Sequence, residues 1–388
     1  MFRYYLKLGA LSIRANPALS VLMVLAIAIG IGACMTIVTV RHVMSDNPIE
    51  HKNDVLYHVQ VDSWSPAEPY QDPDKPPEQM TYLDAKALYD AGKAYRQVTS
   101  YKTSRVVQPD GDDARPFQLE ARATTSDFFP MFDVPFLYGA PWDQASDDAE
   151  ERVTVLSNEL NEQLFGGEDS TGRMLTINGE EYQVSGVLDE WTPVPKFYDL
   201  NNNPYEAPEA LYLPFSLAAT NGFSRSGNTS CWKPVADGGF EEFLASECIW
   251  IQMWIELRDK SEKGDYLQFL DAYAAEQKAL GRFQRPLYNR LNTPSEWLAD
   301  REVVDDNVSV LLSSAVLFLV VCLLNTIGLL LAKIMRRAKD ISLRRALGAS
   351  RSTLFTQYII EAGMIGAAGG LLGVGATWLG LRGIENLW

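Results

Sequence analysis

Histidine and cysteine are scarce, with three and four residues in a chain of 388. No Cys or His cluster has the spacing of a zinc site, and His42, His51 and His58 read as solvated or strand-face residues. A phosphate-cradling G-x-x-x-x-G-K-[S/T] loop is missing. The nearest glycine-bearing stretch, Gly166-Gly167-Glu168-Asp169-Ser170-Thr171-Gly172, is acidic and lacks the lysine, so the chain is not itself an ATPase of that class. Scattered serines, histidines and acids give no nucleophile–base arrangement. Basic residues are outnumbered, 34 against 50 acidic, for a net charge of −16, and nucleic acid is not an expected partner. No catalytic, metal or cofactor site of its own is expected in this chain.

Charge is absent altogether from three long runs. Residues 19–40, 308–332 and 362–381 contain no charged side chain over 22, 25 and 20 positions. At about 1.5 Å rise per residue each is long enough to cross a hydrocarbon layer of about 30 Å. A buried helix in a soluble core rarely runs so far without a charge. The first run is too long for a secretory leader and lacks a small-x-small cleavage site before Arg41, so it reads as a retained anchor.

The remaining charge separates along the chain. Residues 45–306 carry 22 basic and 47 acidic side chains, a net of −25; all other positions carry 12 and 3, a net of +9. Short basic flanks stay in the cytoplasm. Arg3, Lys7 and Arg14 precede the first run, and Lys333, Arg336, Arg337, Lys339, Arg344, Arg345 and Arg351 lie between the second and third. Both flanks therefore face the cytoplasm, with the N-terminus inside and 45–306 outside; Arg41 is a single dissenter. The chain thus divides into an amphipathic cytoplasmic helix (1–18), a first span (19–41), a two-lobed extracytoplasmic domain (45–306), a second span (308–332), a cytoplasmic loop (333–353) and a third span with its cytoplasmic approach (354–381). In the first segment Arg3, Lys7 and Arg14 fall within about 40° of one another at helical spacing. Phe2, Tyr5, Leu6 and Ile13 take another face, which suits a helix lying against anionic membrane lipid. Asn16-Pro17 breaks it.

The outer segment mixes strand and helix signals, an α+β pattern. Residues 55–61 read as a strand, and 62–80, with five prolines, as a loop lacking its own core. Thr81–Ala94 reads as a helix with Leu83, Ala87 and Leu88 on one side. Arg152–Leu156 reads as a strand, Ser157 as the cap of a helix over Asn158–Phe165, and Gly166-Gly167 as its stop. Asn178-Gly179 between 174–177 and 182–187 signals a hairpin. Residues 249–257 read as a strand and 265–280 as a helix. Acidic runs at Asp110, Asp112, Asp113 and at Asp147, Asp148, Glu150, Glu151 read as solvated surface within loops.

Cys231 and Cys248, 17 positions apart in the outer segment, can form a disulfide or stay as two free thiols; a bridge there contributes about 3 kcal/mol on the chain-entropy account. Cys34 and Cys322 lie within spans as small apolar residues. Gly366 with Gly370, and Gly369 with Gly373, have the four-residue spacing that lets helix backbones approach.

The most informative stretch lies just beyond the second span. Asp340-Ile341-Ser342-Leu343-Arg344-Arg345-Ala346-Leu347 makes a short helix, Gly348 suits its stop, and Ser350 caps the next helix. The stretch KDISLRRALGASRSTLFTQYIIEAG resembles the loop and third-span approach of the MacB/FtsX-type ABC transporter permeases, the type VII or mechanotransmission group. Their usual form is close to E-I-G-L-R-R-A-L-G-A-S; Asp340 and Ser342 are mild departures. TTSDFFPMFDVPFLYGAPW and RVTVLSNELNEQLFGGEDSTGRMLTINGEEYQVSGVLDEW are similar to segments of the family's external domain, including LFGG-x-x-x-x-G. The order of span, ectodomain and further spans also fits.

The resemblance implies an α+β extracytoplasmic domain on a transmembrane helix bundle in a bacterial inner membrane, acting as a dimer with an identical or paralogous subunit. A cytoplasmic ABC ATPase dimer, holding ATP and Mg, would lie beneath it, and a periplasmic adaptor is a further expected partner. The coupling helix would use Asp340, Ile341, Leu343, Arg344, Arg345, Ala346, Leu347 and Gly348, with Glu361 at the inner mouth of the third span. Motion would be delivered outward for efflux or extrusion of a drug, peptide or lipoprotein. The family has four spans with both termini cytoplasmic. Three are visible here, which would put the C-terminus outside; a fourth is expected from the family. Two other readings stand beside this one: a mechanotransmitting sensor or regulator of a periplasmic or cell-wall partner, and a membrane-anchored receptor or assembly factor without an ATPase.

Overall fold

The computed structural model describes residues 2–109, 111, 115–286, 288–304, 306–348 and 350–385, without the side chains of 2–5, 306, 340 and 385. It contains two compact units, residues 46–303 and the two flanking segments taken together.

The flanking unit is helical. An N-terminal helix (Phe2–Ala15) stops at Asn16, and the first-span helix (Pro17–Ser45) starts on the proline, whose missing N–H costs nothing at a helix start. The second-span helix (Asp306–Arg336), an elbow helix (Ala338–Ala346) and the third-span helix (Arg351–Glu385) complete it. Three of these are long and apolar enough to cross a membrane.

The third span packs on the first along a seam of small residues. A Cβ built on Gly369 would lie 2.7 Å from Ile27, one on Gly373 2.8 Å from Ile31, and one on Gly380 2.8 Å from the Thr36 hydroxyl. Across the seam, a Cβ on Gly32 would meet that of Ala376 at 2.7 Å. Of the glycines expected to pack, Gly369 and Gly373 are therefore in the interface. Gly366 and Gly370 are not: a Cβ on either has nothing within 4 Å. The four glycines share one stripe of the helix, but the first span runs along the edge of it that holds Gly369, Gly373, Ala376 and Gly380, and Gly366 and Gly370 fall beside that line. Gly369→Val should lower the unfolding midpoint of the full chain in detergent by the equivalent of about 1–3 kcal/mol, while Gly370→Val leaves it within error. Equal effects would remove the seam.

In the other unit the strands are β1 (Leu56–Gln60), β2 (Met80–Thr81), β3 (Arg96–Gln108), β4 (Phe117–Thr124), β5 (Phe136–Gly139), β6 (Val153–Leu156), β7 (Met174–Ile177), β8 (Glu180–Leu188), β9 (Leu211–Pro214), β10 (Ser230–Cys231), β11 (Cys248–Glu256) and β12 (Arg290–Asn292). They run in the order β12-β1-β11-β3-β4-β9-β6-β8-β5, with β2 and β10 on β11 and β7 bridging β3 and β8. One hydrogen-bonded sheet joins the early, middle and late strands. Successive residues feed two apolar clusters, as a strand's twofold period requires. Ile251, Met253 and Ile255 of β11 enter one and Trp254 the other; Leu211 and Leu213 of β9 oppose Tyr212 in the same way.

Local signals hold where side chains cap or turn the backbone. Ser157 accepts from Leu160 N, and the helix Asn158–Phe165 ends on Gly166 in the left-handed region at φ 65°. Asn178 and Gly179 turn the β7–β8 hairpin with positive φ. Cys231 and Cys248 are joined by a disulfide between facing positions of β10 and β11.

Two expectations about the outer domain need correction. The helix near residue 81 spans Tyr82–Asp90 and buries Asp84, Ala85 and Leu88, leaving Leu83 exposed. Asp84 tolerates burial because Arg282 (2.8 and 2.9 Å) and the Tyr273 hydroxyl (2.6 Å) donate to it. Residues 144–148 form a short helix rather than a loop, and Asp147 is buried, accepting from the Ser216 hydroxyl at 2.8 Å. Asp148, Glu150 and Glu151 are exposed; Asp110, Asp112 and Asp113 lie outside the described residues. His58 is a strand-face residue of β1, as expected, and that face is covered: the ring is 1% exposed and stacks on Trp297 with ring centres 3.9 Å apart.

His58 and Asp147 give the domain opposing responses to acid. Burial, reinforced by Arg301, lowers the His58 imidazole to about 3. The unfolded chain therefore takes up this proton first, and stability is lost as pH falls from 6.5 toward 3. Burial raises the Asp147 carboxyl to about 6, against hydrogen bonds from Ser216 and Ser126 that favour the charge. Its folded form binds the proton more tightly, so lowering pH from 6 to 3.8 relieves a cost. His58→Phe should accordingly gain about 3 kcal/mol relative to the unchanged chain between pH 7 and 4, and Asp147→Asn should lose a similar advantage over that interval. Denaturant midpoints at the two pH values measure both. Parallel curves for His58→Phe and the unchanged chain would contradict the assignment.

Candidate coupling site

The elbow between the second and third spans is built from its own sequence. Arg337 breaks the second-span helix and heads the nine-residue elbow helix. The elbow ends where Leu347 N donates to Leu343 O and Gly348 N to Arg345 O, with Gly348 at φ +98°, a conformation that favours a residue lacking Cβ. Ser350 then accepts from Thr353 N at 3.1 Å and starts the third-span helix.

What the elbow displays is unusual for a water-facing segment. Leu343 is 62% and Leu347 80% exposed, and their i,i+4 spacing puts them on one face. Arg344, Arg345 and Ala346 are exposed with them, and Ile341 is half-buried. The Arg344 guanidinium donates to Gln357 Oε1 at 3.2 Å, fixing the elbow to the third span. Asp340 belongs to the helix by its backbone; its side chain lies outside the described residues. The structure thus brings Leu343, Arg344, Arg345, Leu347 and Gly348 into one exposed knob of two leucines and two guanidiniums.

Glu361, expected at the inner mouth of the third span, lies in the first third of that helix and is buried. It is 1% exposed and paired with Lys333 at 2.5 Å. The basic residues around Lys333 give it the look of one more solvated cytoplasmic cation, which hides the pair from a reading of the sequence. A lone acid near the start of the third span, 28 positions after a lysine, was the available signal.

A second polar assembly lies at the middle of the outer sheet, and no sequence motif marks it. Arg122 of β4 is fully buried and donates through Nη2 to Asp199 and, at 2.7 Å, to Glu209 Oε1; Nη1 reaches Ser100 of β3 at 3.2 Å. Lys196 donates to Glu209 Oε1 at 3.2 Å, Tyr198 to its Oε2 at 3.2 Å, and Gln252 of β11 to Asp199 Oδ1 at 2.8 Å. Burial opposes the Glu209 charge, but Arg122 and Lys196 overcome it and hold the carboxyl well below its ordinary range. Arg122 and Lys196 face Asp199 and Glu209, with Glu206 also 3.7 Å from Lys196, and the assembly fastens the sheet. Among the described residues no group of three His, Cys, Asp or Glu is placed to hold a metal ion.

Long apolar helices and an α+β outer domain fit a membrane permease, and the family matches make it one of the ABC transporter type. Residues 20–263 match the MacB-like periplasmic core domain, and residues 312–387 match the FtsX-like permease C-terminal domain. The chain belongs to the MacB/FtsX-type permease family. It is similar to the uncharacterized ABC transporter permease YknZ of Bacillus subtilis, 23% identical over 59% of this chain and 49% of that one. It is also similar to the macrolide export ATP-binding/permease protein MacB 2 of Aeromonas hydrophila, 23% identical over 68% of this chain and 37% of that one. MacB of Rhodospirillum rubrum is 24% identical over 95% of this chain and 51% of its own length. The chain thus spans about a third to a half of the curated relatives it matches. The periplasmic region of MacB from Actinobacillus actinomycetemcomitans matches 64% of this chain and 94% of its own at 12% identity, with a TM-score of 0.39. Family membership and the apolar helices make this an inner-membrane protein with an extracytoplasmic domain.

Proposed function

We propose that this chain is the motion-transmitting permease of an ABC transporter, driven by a separate cytoplasmic ATPase dimer that holds ATP and Mg. The N-terminus would be cytoplasmic, and the partner subunit a second permease, identical or paralogous. The observation that carries the reading is the elbow. Two exposed leucines are worth about 1.5–3 kcal/mol each when covered, and an adjacent guanidinium pair selects an acidic rim on whatever covers them. One residue separates the elbow helix from the second span and four separate it from the third, so displacing it displaces both. The outer domain is spliced between the first and second spans and receives that displacement through the chain. Relatives named for macrolide and pyoverdine export favour an efflux cargo delivered on the outer side, with a periplasmic adaptor beside the acidic domain.

Affinity purification of the full chain from mild detergent, read by mass spectrometry, tests this. An ABC ATPase recovered in about equal amount, and lost when Leu343 and Leu347 are both replaced by aspartate, is the expected outcome. Recovery of the intact chain with no ATPase under several detergents would overturn the reading.

A further inference from the structure

Behind the elbow, five polar side chains from four helices and the elbow's head meet within the flanking unit. Lys333 of the second span pairs with Glu361 of the third at 2.5 Å and donates to Ser20 of the first at 3.3 Å. Ser12 of the N-terminal helix donates to Glu361 Oε1 at 2.5 Å. Arg337, which heads the elbow, donates to the Ser12 hydroxyl at 2.7 Å and to its carbonyl at 3.5 Å. Lys333, Glu361, Ser12 and Ser20 are all buried. The N-terminal helix reaches the network because Gly9 lets it close on the third span: a Cβ there would lie 2.8 Å from the Met364 sulfur.

Charges this deep are costly, and simple anchoring does not require them: apolar side chains of the same volume would hold these helices at least as well. What a charged network adds is direction. Each link is satisfied only in one arrangement, so helices joined by it move together or break it. We infer that Lys333 and Glu361 are positioning residues, which with Ser12, Ser20 and Arg337 bind the elbow to the N-terminal and first-span helices. Motion imposed on the elbow then passes into the first span as well as into the second and third that flank it. Both spans that border the outer domain are thereby driven by one contact. The inference deepens the proposed function and rests on it for the source of the motion, but not for the linkage itself.

The test uses the full chain in lipid nanodiscs with two readouts: amide exchange over residues 338–346, and ATP hydrolysis by whatever ATPase accompanies the chain. Lys333→Glu and Glu361→Lys should each speed exchange in the elbow at least ~10-fold and abolish coupling. The double exchange, Lys333→Glu with Glu361→Lys, should bring both to within about 3-fold of the unchanged chain. Should the single variants not fold, Lys333→Met with Glu361→Met leaves no lone charge. It should keep the thermal midpoint yet retain fast elbow exchange, which a merely structural pair would not produce. Unchanged elbow exchange in the double methionine variant, or no restoration in a folded double exchange, would overturn the inference. Absence of any ATPase would overturn the proposed function instead, leaving the exchange results to judge the linkage.

Discussion

Arg122→Ala lowers the unfolding midpoint of the outer domain by about 10 °C and leaves the helical unit unaffected. The side chain is wholly buried, and its removal takes from Asp199 the cation it pairs with and leaves Glu209 only Lys196, which it shares with Glu206. Breaking such an assembly on one side costs about 3–5 kcal/mol, because the remaining carboxylate keeps its desolvation penalty without its partner. For a domain of this size that converts to about 2–4 °C for each kcal/mol. Arg152→Ala is the matched control. Its bond to Glu180 is 2.9 Å long, but both partners are about half exposed, so the change should stay under about 1 kcal/mol. Differential scanning fluorimetry of the two variants decides the matter. Equal midpoints would mean that the central assembly contributes no more than a surface pair.

The second large effect is expected at the elbow. Arg344→Glu with Arg345→Glu should leave the chain folded, since both residues are exposed and the bond given up is that from Arg344 to Gln357. ATPase association should nevertheless fall by about 100-fold or more. Losing one charged partner in a desolvated contact costs about 2–5 kcal/mol, and every ~1.4 kcal/mol is tenfold in affinity. Co-purification, ATP hydrolysis and export should fail together. Normal export from a folded double variant would remove the elbow from the mechanism.

How much of this could be read from residues alone depends on the range of the interaction. Ser157, Gly166, Asn178-Gly179 and Ser350 act on backbone within about four positions, so their sequence neighbourhood contains the whole cause. The spans are legible for a related reason: a bilayer demands continuous apolarity. The central assembly was not legible. Arg122, Lys196, Asp199 and Glu209 are drawn together from up to 87 positions apart, and each resembles a solvated charge until the segment 196–209 is laid against β4 and its neighbours. Lys333 misled in the same way, its basic neighbours suggesting one more solvated cytoplasmic cation. The glycines of the third span were half legible. Their spacing announced a close approach, but which edge of the stripe made it depended on where the first span lay.

The sheet order also bears on how the domain is made. β1 is the first strand to leave the membrane, yet its two neighbours are β11 and β12, about 200 and 230 residues downstream. The earliest-exported strand therefore stays unpaired until nearly all of the domain has crossed, and its buried face must be kept from association meanwhile. Chains interrupted during export before residue 292 should accumulate as protease-sensitive, chaperone-bound material, whatever the health of their membrane anchor.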